Sequence, residues 1–419
     1  MGSATFGGLI AGGAAGFFGG QSAEGSEGKG GRGKPVVVGA VLPVTGVAAG
    51  DAQEQLRGLK LAIKHVNEAG GIGGRPIEIQ VQDARDQAPN VMTAAMRKCV
   101  GDGVAAIFSP FLSYTNIETP IVGKAKIPLF HINTFQGNVD FAKENGYDSL
   151  FQCCPSETWY ATGFTAVIDQ LVRDGSFTPR TRTAAIVTGN DAYSANVANT
   201  FRRDLQKLGW RVVQFDSYTP PQADWGGVLA RIRKHDPDVV FQSDYLPGDE
   251  ASFIKQFAQA PTRSLVYQLY APSVPEYLDL AGDAADGVLW ATTTGTIFED
   301  ELGRRFYDDY EKAYGEEPGR SNAGANYDMM RLWAQAAALA SSPYAHEEVA
   351  ANVRDQVYRG VNGSYKLGDR LTPLPYPAAL TDPSVGMALQ TYQIQGGRQV
   401  RISPEPYTTG RFQVPSWLR

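Results

Sequence analysis

The chain is poor in cysteine and histidine, and neither residue type is spaced for chemistry. Three cysteines and four histidines occur among 419 residues, with no CxxC, HxxxH or HExxH spacing. Cys153 and Cys154 are adjacent, and we expect a small apolar pair at a strand end instead of a redox centre. So few cysteines do not form a disulfide framework in a chain of this length. We therefore predict no metal site and no cofactor.

The chain also lacks any dense run of basic residues. It carries 38 Lys and Arg against 44 Asp and Glu, a formal net charge of −6. Proteins that bind nucleic acids contact the phosphates through clustered Lys and Arg. We therefore expect no nucleic-acid partner.

No apolar run near the start is long enough to span a bilayer. The stretch 4–20 is apolar but contains seven glycines, and 22–34 has the Gly, Ser and charge composition of a flexible linker. Residues 4–20 resemble the hydrophobic region of a twin-arginine export signal whose basic start is missing. A disordered tail is the alternative. No cysteine follows closely, so a lipoprotein anchor is excluded, and we expect residues 1–34 to precede an exported, soluble, extracytoplasmic protein.

Signatures of catalysis are missing as well. Residues 28–34 satisfy GxxxxGK, but Pro35 stands where a phosphate loop needs Ser or Thr. The glycine run at 70–74 follows a helix pattern instead of a strand, so a dinucleotide-binding turn is excluded. No nucleophile–base pair stands out. The sequence predicts a protein that binds a ligand and is not an enzyme.

What the chain does contain is a repeated alternation of strands and helices. The buried pattern of 36–42 is followed by an amphipathic helix over 51–69, and strands and helices alternate to about residue 135. A second alternation runs from about 156 to 291, followed by two long helices, 300–314 and 323–340. A hairpin closes the pattern, with Gly396-Gly397 at its turn. Together with the length, this predicts an α/β protein with two lobes separated by a cleft.

The stretch Ala105–Phe135 concentrates polar side chains at strand ends. A strand ends at Ser109-Pro110, and we expect a short helix to open at Ser113, Tyr114 and Thr115. A second strand ends near Thr134. Ligands of open α/β sheets bind at the carboxyl ends of strands and at helix N-termini, so these hydroxyls are candidate ligand contacts. The alternative is that they only cap the helix.

Nine segments follow one another in a specific order and spacing: VVVGAVLPVTG, GLKLAIKHVNEAGGIGGRPIEIQVQDARD, AAIFSPFLS, IPLFHIN, LFQCCPSE, NDAYS, HDPDVVFQSDY, TYQIQGGRQVRISPEPY and FQVPSWL. In this order and spacing they resemble the type I periplasmic substrate-binding proteins of ABC importers, the branched-chain amino-acid receptor or leucine-binding protein family. The resemblance covers nearly everything from Pro35 onward.

The resemblance implies a periplasmic-binding-protein type I fold with two Rossmann-like lobes joined by three hinge crossovers. We expect lobe 1 to comprise 35–154 and 293–385, and lobe 2 to comprise 155–292 and 386–402. Residues 403–419 form a C-terminal extension. Receptors of this family act with ABC permease membrane subunits, and we expect a monomer.

The resemblance also implies site residues. The family's carboxylate-binding serine falls on Ser113, with its backbone neighbours on Phe111 and Leu112. The threonine at the next strand end falls on Thr134 or, with one residue's slip, on Phe135. Further expected contacts are the lobe-2 tyrosine Tyr193, the acid Asp244, and three aromatic residues at strand ends, Tyr114, Tyr245 and Tyr270.

Two departures from the family pattern bear on the ligand. The acid that receives an amino-acid ammonium belongs in the segment 268–271, which has no carboxylate, and Asp244 is the nearest alternative. The aromatic residue expected before Gly50-Asp51 is Ala49. We therefore expect an aromatic or aliphatic carboxylate as the ligand, with a branched-chain amino acid or an amide next. The same fold in a ligand-sensing receptor is the alternative function.

Overall fold

The computed structural model describes residues 33–46, 48–85 and 87–419. The prediction of an export-signal remnant and linker over 1–34 lies outside the described residues, apart from Gly33 and Lys34.

Lobe 1 is built on a five-stranded parallel sheet in the order β2-β1-β3-β4-β5. β1 is almost wholly buried, because helices cover both faces of such a sheet and its strands become continuous apolar runs. The strands are β1 (Val36–Leu42), β2 (Ile77–Asp83), β3 (Ile107–Phe108), β4 (Leu129–His131) and β5 (Leu150–Gln152).

Lobe 2 is built on a seven-stranded sheet in the order β16-β15-β10-β9-β8-β6-β7. Five strands are parallel, and the β15–β16 hairpin adds an antiparallel edge. The strands are β6 (Thr183–Gly189), β7 (Arg211–Tyr218), β8 (Val239–Ser243), β9 (Leu265–Gln268), β10 (Leu289–Thr292), β15 (Gln390–Gln395) and β16 (Arg398–Ser403).

A small four-stranded sheet packs on the core of lobe 1 through Tyr365 and Met387. Its strands are β11 (Tyr358–Gly360), β12 (Gly363–Tyr365), β13 (Pro375–Tyr376) and β14 (Met387–Ala388). The α-helices are α1 (Ala49–Glu68), α2 (Pro89–Gly101), α3 (Thr119–Ala125), α4 (Gln136–Glu144), α5 (Thr158–Arg173), α6 (Ala192–Lys207), α7 (Gly226–His235), α8 (Pro247–Gln259), α9 (Pro275–Ala281), α10 (Glu301–Tyr314), α11 (Asn322–Leu339) and α12 (His346–Asp355).

The chain passes between the two lobes three times, after β5, after β10 and after β14. Buried polar contacts hold the second and third crossovers together. The Gln390 amide donates to the Gly295 carbonyl at 2.6 Å, and Arg401 donates to Gln390 Oε1 at 2.7 Å. The predicted fold class, two α/β lobes of the type I periplasmic-binding-protein kind, is therefore observed. The residue boundaries predicted for the lobes stay a prediction.

One predicted helix is misplaced. The helix expected to open at Ser113–Thr115 begins instead at Thr119, with Pro120 in its first turn, where a missing N–H costs nothing. Residues 113–118 form a turn, closed by the Asn116 N–H on the Ser113 carbonyl at 3.1 Å. The alternative that Ser113 and Thr115 cap this helix is therefore wrong. Helices α4, α9 and α12 and the small sheet were not anticipated.

Among the described residues, no helix is both long and apolar enough to cross a membrane.

Candidate functional site

The loop after β3 is fixed by a buried carboxylate. Ser113 donates its backbone N–H to Glu118 Oε1 at 2.6 Å and its hydroxyl to Glu118 Oε2 at 2.5 Å, and Glu118 is fully buried. Two asparagines brace the same loop from the next strand end: Asn133 donates to the Leu112 carbonyl and Asn138 to the Ser113 carbonyl. The predicted carboxylate anchor thus has both of its donors already engaged.

The backbone neighbours of Ser113 belong to lobe 1 itself. Leu112 lies in the hydrophobic core of that lobe. Phe111 is half-buried, and its carbonyl accepts the Ser109 hydroxyl at 2.8 Å. That Phe111 and Leu112 contact the ligand therefore stays a prediction.

The strand end after β4 provides an aromatic pair and a buried threonine. Phe135 immediately precedes α4, and its ring meets the Tyr114 ring edge-on with centroids 5.0 Å apart. Thr134 is 9% exposed, and its carbonyl accepts the Glu157 N–H at 2.9 Å. The structure therefore brings Tyr114 and Phe135 into contact, as expected for residues at the ends of adjacent strands.

The N-terminus of α6 presents the lobe-2 tyrosine. Asp191 caps this helix by accepting the Ser194 N–H at 2.9 Å, which places Tyr193 in the first turn. Tyr193 is 5% exposed. Burial, together with the nearby Tyr160, Tyr270 and Tyr114, raises its pKa well above its usual range.

The four predicted tyrosines converge from both lobes. Tyr114 comes from lobe 1 and is 41% exposed, whereas Tyr193, Tyr245 and Tyr270 come from lobe 2. Burial raises the pKa of Tyr114. The nearby Asp191 and Tyr245, both of lobe 2, raise it further, and so does Glu157. Burial likewise raises the pKa of Tyr270, with Asp51 and the tyrosines Tyr160 and Tyr114 adding to it. The four tyrosines therefore lie near one another around the predicted cleft between the lobes, and their contact with a ligand stays a prediction.

Asp244 lies beside this cleft, but its oxygens are taken up within lobe 2. Its carboxylate accepts the Tyr218 hydroxyl and the backbone N–H groups of Tyr245, at 2.5 Å, and Leu246, at 3.1 Å. Burial raises its pKa to about 7. These contacts fix the turn from β8 into α8, and a ligand contact by Asp244 stays a prediction.

Sequence reasoning missed a carboxylate at the segment 268–271. Glu250, in the first turn of α8, is fully buried and accepts the Leu269 N–H at 3.1 Å. Its second oxygen has no partner among the described residues. The segment has no acid of its own, so only the packing of α8 against the end of β9 reveals this group.

The sequence analysis did not identify Asp51 and Glu157, two further acids near the predicted cleft, as candidate site residues. Asp51 opens α1, and burial and the lobe-2 residue Glu276 raise its pKa to about 6. Glu157 follows the first crossover and is fully buried, with one oxygen accepting the Gln136 N–H at 2.8 Å and the other the Asn196 amide at 2.6 Å. Burial raises its pKa. The position of Glu157 directly after the first crossover was the sequence feature that could have identified it as a site candidate.

The described residues contain no group of three or more His, Cys, Asp or Glu side chains that could hold a metal ion. The three cysteines are free and buried. Two surface cavities, of about 520 and 220 Å³, lie at Trp417 and at Arg354, and neither includes a predicted ligand contact. The side chains around the predicted cleft offer aromatic rings, hydroxyls and carboxylates.

Comparison with known proteins agrees with this architecture. A family model described as periplasmic binding protein matches residues 35–373. A solved structure from Silicibacter pomeroyi, provisionally described as a branched-chain amino acid ABC transporter, is 32% identical with a TM-score of 0.86. That match covers 91% of this chain and 100% of the other.

Two more distant relatives extend the comparison. Leu/Ile/Val-binding protein homolog 8 of Brucella abortus is 27% identical over 301 residues, which is 70% of this chain and 73% of the relative. A solute-binding protein from R. palustris, solved in complex with benzoate, is 19% identical with a TM-score of 0.72. It covers 88% of this chain and 96% of its own, and it shows the fold alone.

Proposed function

Because this chain belongs to the periplasmic binding protein family, we propose that it is the extracytoplasmic receptor of an ABC importer, which binds a small organic ligand between its lobes and delivers it to a permease. The family is one of solute-binding receptors and not of enzymes. Its protein partners are then the ABC permease membrane subunits, and we propose that the receptor itself acts as a monomer.

The observation that supports this function is the convergence of aromatic side chains from both lobes. Tyr114 and Phe135 pair on lobe 1, and Tyr114 is close enough to the lobe-2 residues Tyr193, Tyr245 and Tyr270 for their charges to influence one another. Aromatic rings with a few polar groups are the usual lining of a small-molecule site. Closing two hinged lobes around a ligand removes it from water and creates the shape that a permease recognises.

The ligand class favoured by the sequence is an aromatic or aliphatic carboxylate, with a branched-chain amino acid or an amide next. A carboxylate would bind at Ser113, Thr134 and the tyrosine hydroxyls, with Phe111, Leu112 and Asp244 around it. It would have to displace Glu118 to use both donors of Ser113, because Glu118 already accepts them.

Ligand-dependent stabilisation of the purified chain tests the receptor function. A ligand at about 100 times its dissociation constant should stabilise the folded state by roughly 2.7 kcal/mol. The screen covers free acids, amino acids, amides and amines, and each hit is repeated with Tyr193→Ala. Tyr307→Ala is the matched control, because Tyr307 lies on α10 and packs on Phe298. Loss of the shift in Tyr193→Ala alone supports binding in the cleft, and equal shifts in both variants contradict it.

A further inference from the structure

The first observation concerns what the cleft can donate. Both hydrogen-bond donors of Ser113, its N–H and its hydroxyl, are directed to the buried Glu118 carboxylate. The Thr115 hydroxyl in turn donates to Ser113 Oγ at 3.3 Å. The anchor at this strand end is therefore occupied by a carboxylate of the protein itself, and a second carboxylate there would add like charge at close range.

The second observation concerns charge. The acidic residues that influence the four tyrosines come from four places: Asp51 on α1, Glu157 after the first crossover, Asp191 at the start of α6, and Asp244, Asp249 and Glu250 where β8 passes into α8. No Lys or Arg of the described residues is among the charged groups that act most strongly on Tyr114, Tyr193, Tyr245 and Tyr270. These neighbours therefore bring acidic groups and no balancing cation toward the tyrosines.

The third observation is an unsatisfied acceptor at the end of β6. Asp191 uses Oδ1 to cap α6, whereas its Oδ2 is inaccessible to solvent and has no partner among the described residues. Ser194, which is fully buried, has an unpartnered Oγ as well. Both atoms lie within 3.2 Å of the point that a Cβ on Gly189 would occupy, so they pack against the Gly189 backbone where only glycine fits. Buried acceptors without a donor are rare in proteins unless a ligand or water supplies it.

The fourth observation is the aromatic lining. Tyr114 and Phe135 form an edge-on pair, and Tyr193, Tyr245 and Tyr270 lie close by. The face of an aromatic ring carries negative potential, and cations placed over such faces are attracted by about 0.5–2 kcal/mol per ring.

We propose that the ligand of this cleft is a small organic cation, an amine or amidine without a free carboxylate, attached to an apolar group. The inference rests on the proposed receptor function and names the ligand class for the same site. The charged nitrogen binds near Asp191 and the tyrosine rings, where it donates to Asp191 Oδ2. The apolar group packs on Tyr114 and Phe135. This class replaces the carboxylate that the sequence favours.

Two matched series of compounds test the proposal by isothermal titration of the full chain. One series is leucine, its decarboxylated amine 3-methylbutylamine and its deaminated acid 4-methylpentanoate. The other is phenylalanine, 2-phenylethylamine and 3-phenylpropanoate. We expect an amine to bind at least tenfold more tightly than the amino acid and the acid of its series. Binding of an acid or an amino acid at least as tight as that of its amine overturns the cation class but keeps the receptor function. If none of the six compounds binds, the result counts against both the cation class and the receptor function.

A charge-removing variant locates the nitrogen. Asp191→Asn keeps a side chain that caps helices well and removes the negative charge, so we expect amine affinity to fall at least tenfold with the fold intact. Asp174→Asn is the matched control, because Asp174 also accepts a backbone N–H in lobe 2 but is exposed at the end of α5. Equal amine affinity in the two variants overturns the placement at Asp191.

Discussion

Glu118 accepts both hydrogen bonds that Ser113 can donate, from the backbone N–H at 2.6 Å and from the hydroxyl at 2.5 Å. Glu118 is fully buried and Ser113 is half-buried, so Glu118→Ala removes the acceptor of both donors from the inner side of the loop. Losing the partner of a buried donor costs about 1–3 kcal/mol. We expect the free energy of unfolding in urea to fall by about that amount.

Glu118→Gln and Glu347→Ala are the controls for this prediction. The glutamine keeps one acceptor oxygen, so its loss should be smaller than that of the alanine variant. Glu347 makes only an exposed pair with Lys126, and its removal should change stability by less than about 0.5 kcal/mol. If Glu118→Ala were as mild as Glu347→Ala, the Ser113 loop would be held by other contacts.

The second prediction concerns the close approach of α1 and α11. A Cβ on Gly58 would lie 2.1 Å from the Ala323 carbonyl oxygen, which is backbone and cannot rotate away. Gly58→Ala should therefore destabilise the protein by about 1–3 kcal/mol through overpacking. Gly50, on the same helix, has nothing within 4 Å of its Cβ position, so Gly50→Ala should be neutral or stabilise by up to about 1 kcal/mol. Parallel urea titrations decide, and equal effects of the two substitutions would contradict the predicted steric difference.

The sequence predicted the periodic part of the fold, and the family prediction is confirmed by the match over residues 35–373. Buried strands such as Val36–Leu42 and the hairpin around Gly396-Gly397 carry local patterns that determine their conformation. The Ser113 loop was misread, because its conformation depends on Glu118 five residues away and not on helix propensity. The carboxylate at Leu269 was missed because Glu250 reaches it from another element, and no local pattern records that approach.

The third prediction concerns the pH dependence of stability. Glu54 is half-buried at the start of α1, and burial, together with the nearby Asp51, raises its pKa to about 7. A carboxyl whose pKa is higher in the folded than in the unfolded state holds its proton more tightly when folded. Its contribution to stability is therefore complete below about pH 4.5 and is lost as the pH rises to about 7.

Urea titrations between pH 5 and pH 8 measure this effect. One group contributes at most about 1.4 kcal/mol per pH unit, and Glu54→Gln should make the decline of stability with pH shallower. Asp51, Asp244 and Asp328, whose pKa values are also raised, should leave a residual decline in that variant. In Glu347→Gln the decline should match the unaltered protein, since pairing with Lys126 lowers the pKa of Glu347 and its effect falls below this range. An unchanged slope in Glu54→Gln would mean that Glu54 is ionised throughout.

The last prediction concerns Glu157, which joins the two lobes directly. One carboxylate oxygen accepts the Gln136 N–H of lobe 1 and the other accepts the Asn196 amide of lobe 2. Glu157 immediately precedes α5 of lobe 2, so its bond to Gln136 spans the lobes and favours the arrangement in which they face each other, whereas its bond to Asn196 lies within lobe 2. Glu157→Ala should lower the free energy of unfolding by about 1–3 kcal/mol. It should also enlarge the radius of gyration in small-angle X-ray scattering and weaken ligand binding, because a receptor that populates its closed form less binds more weakly.

A double-mutant cycle with Asn196→Ala separates the two bonds of Glu157. Asn196→Ala removes only the bond within lobe 2, so it should leave the scattering unchanged and cost less stability, since the Gln136 N–H keeps its acceptor. If the Asn196 amide holds the Glu157 carboxylate in place, the effects of the two substitutions should deviate from additivity by at least about 0.5 kcal/mol. Unchanged scattering in Glu157→Ala would mean that the bond to Gln136 does not hold the lobes together.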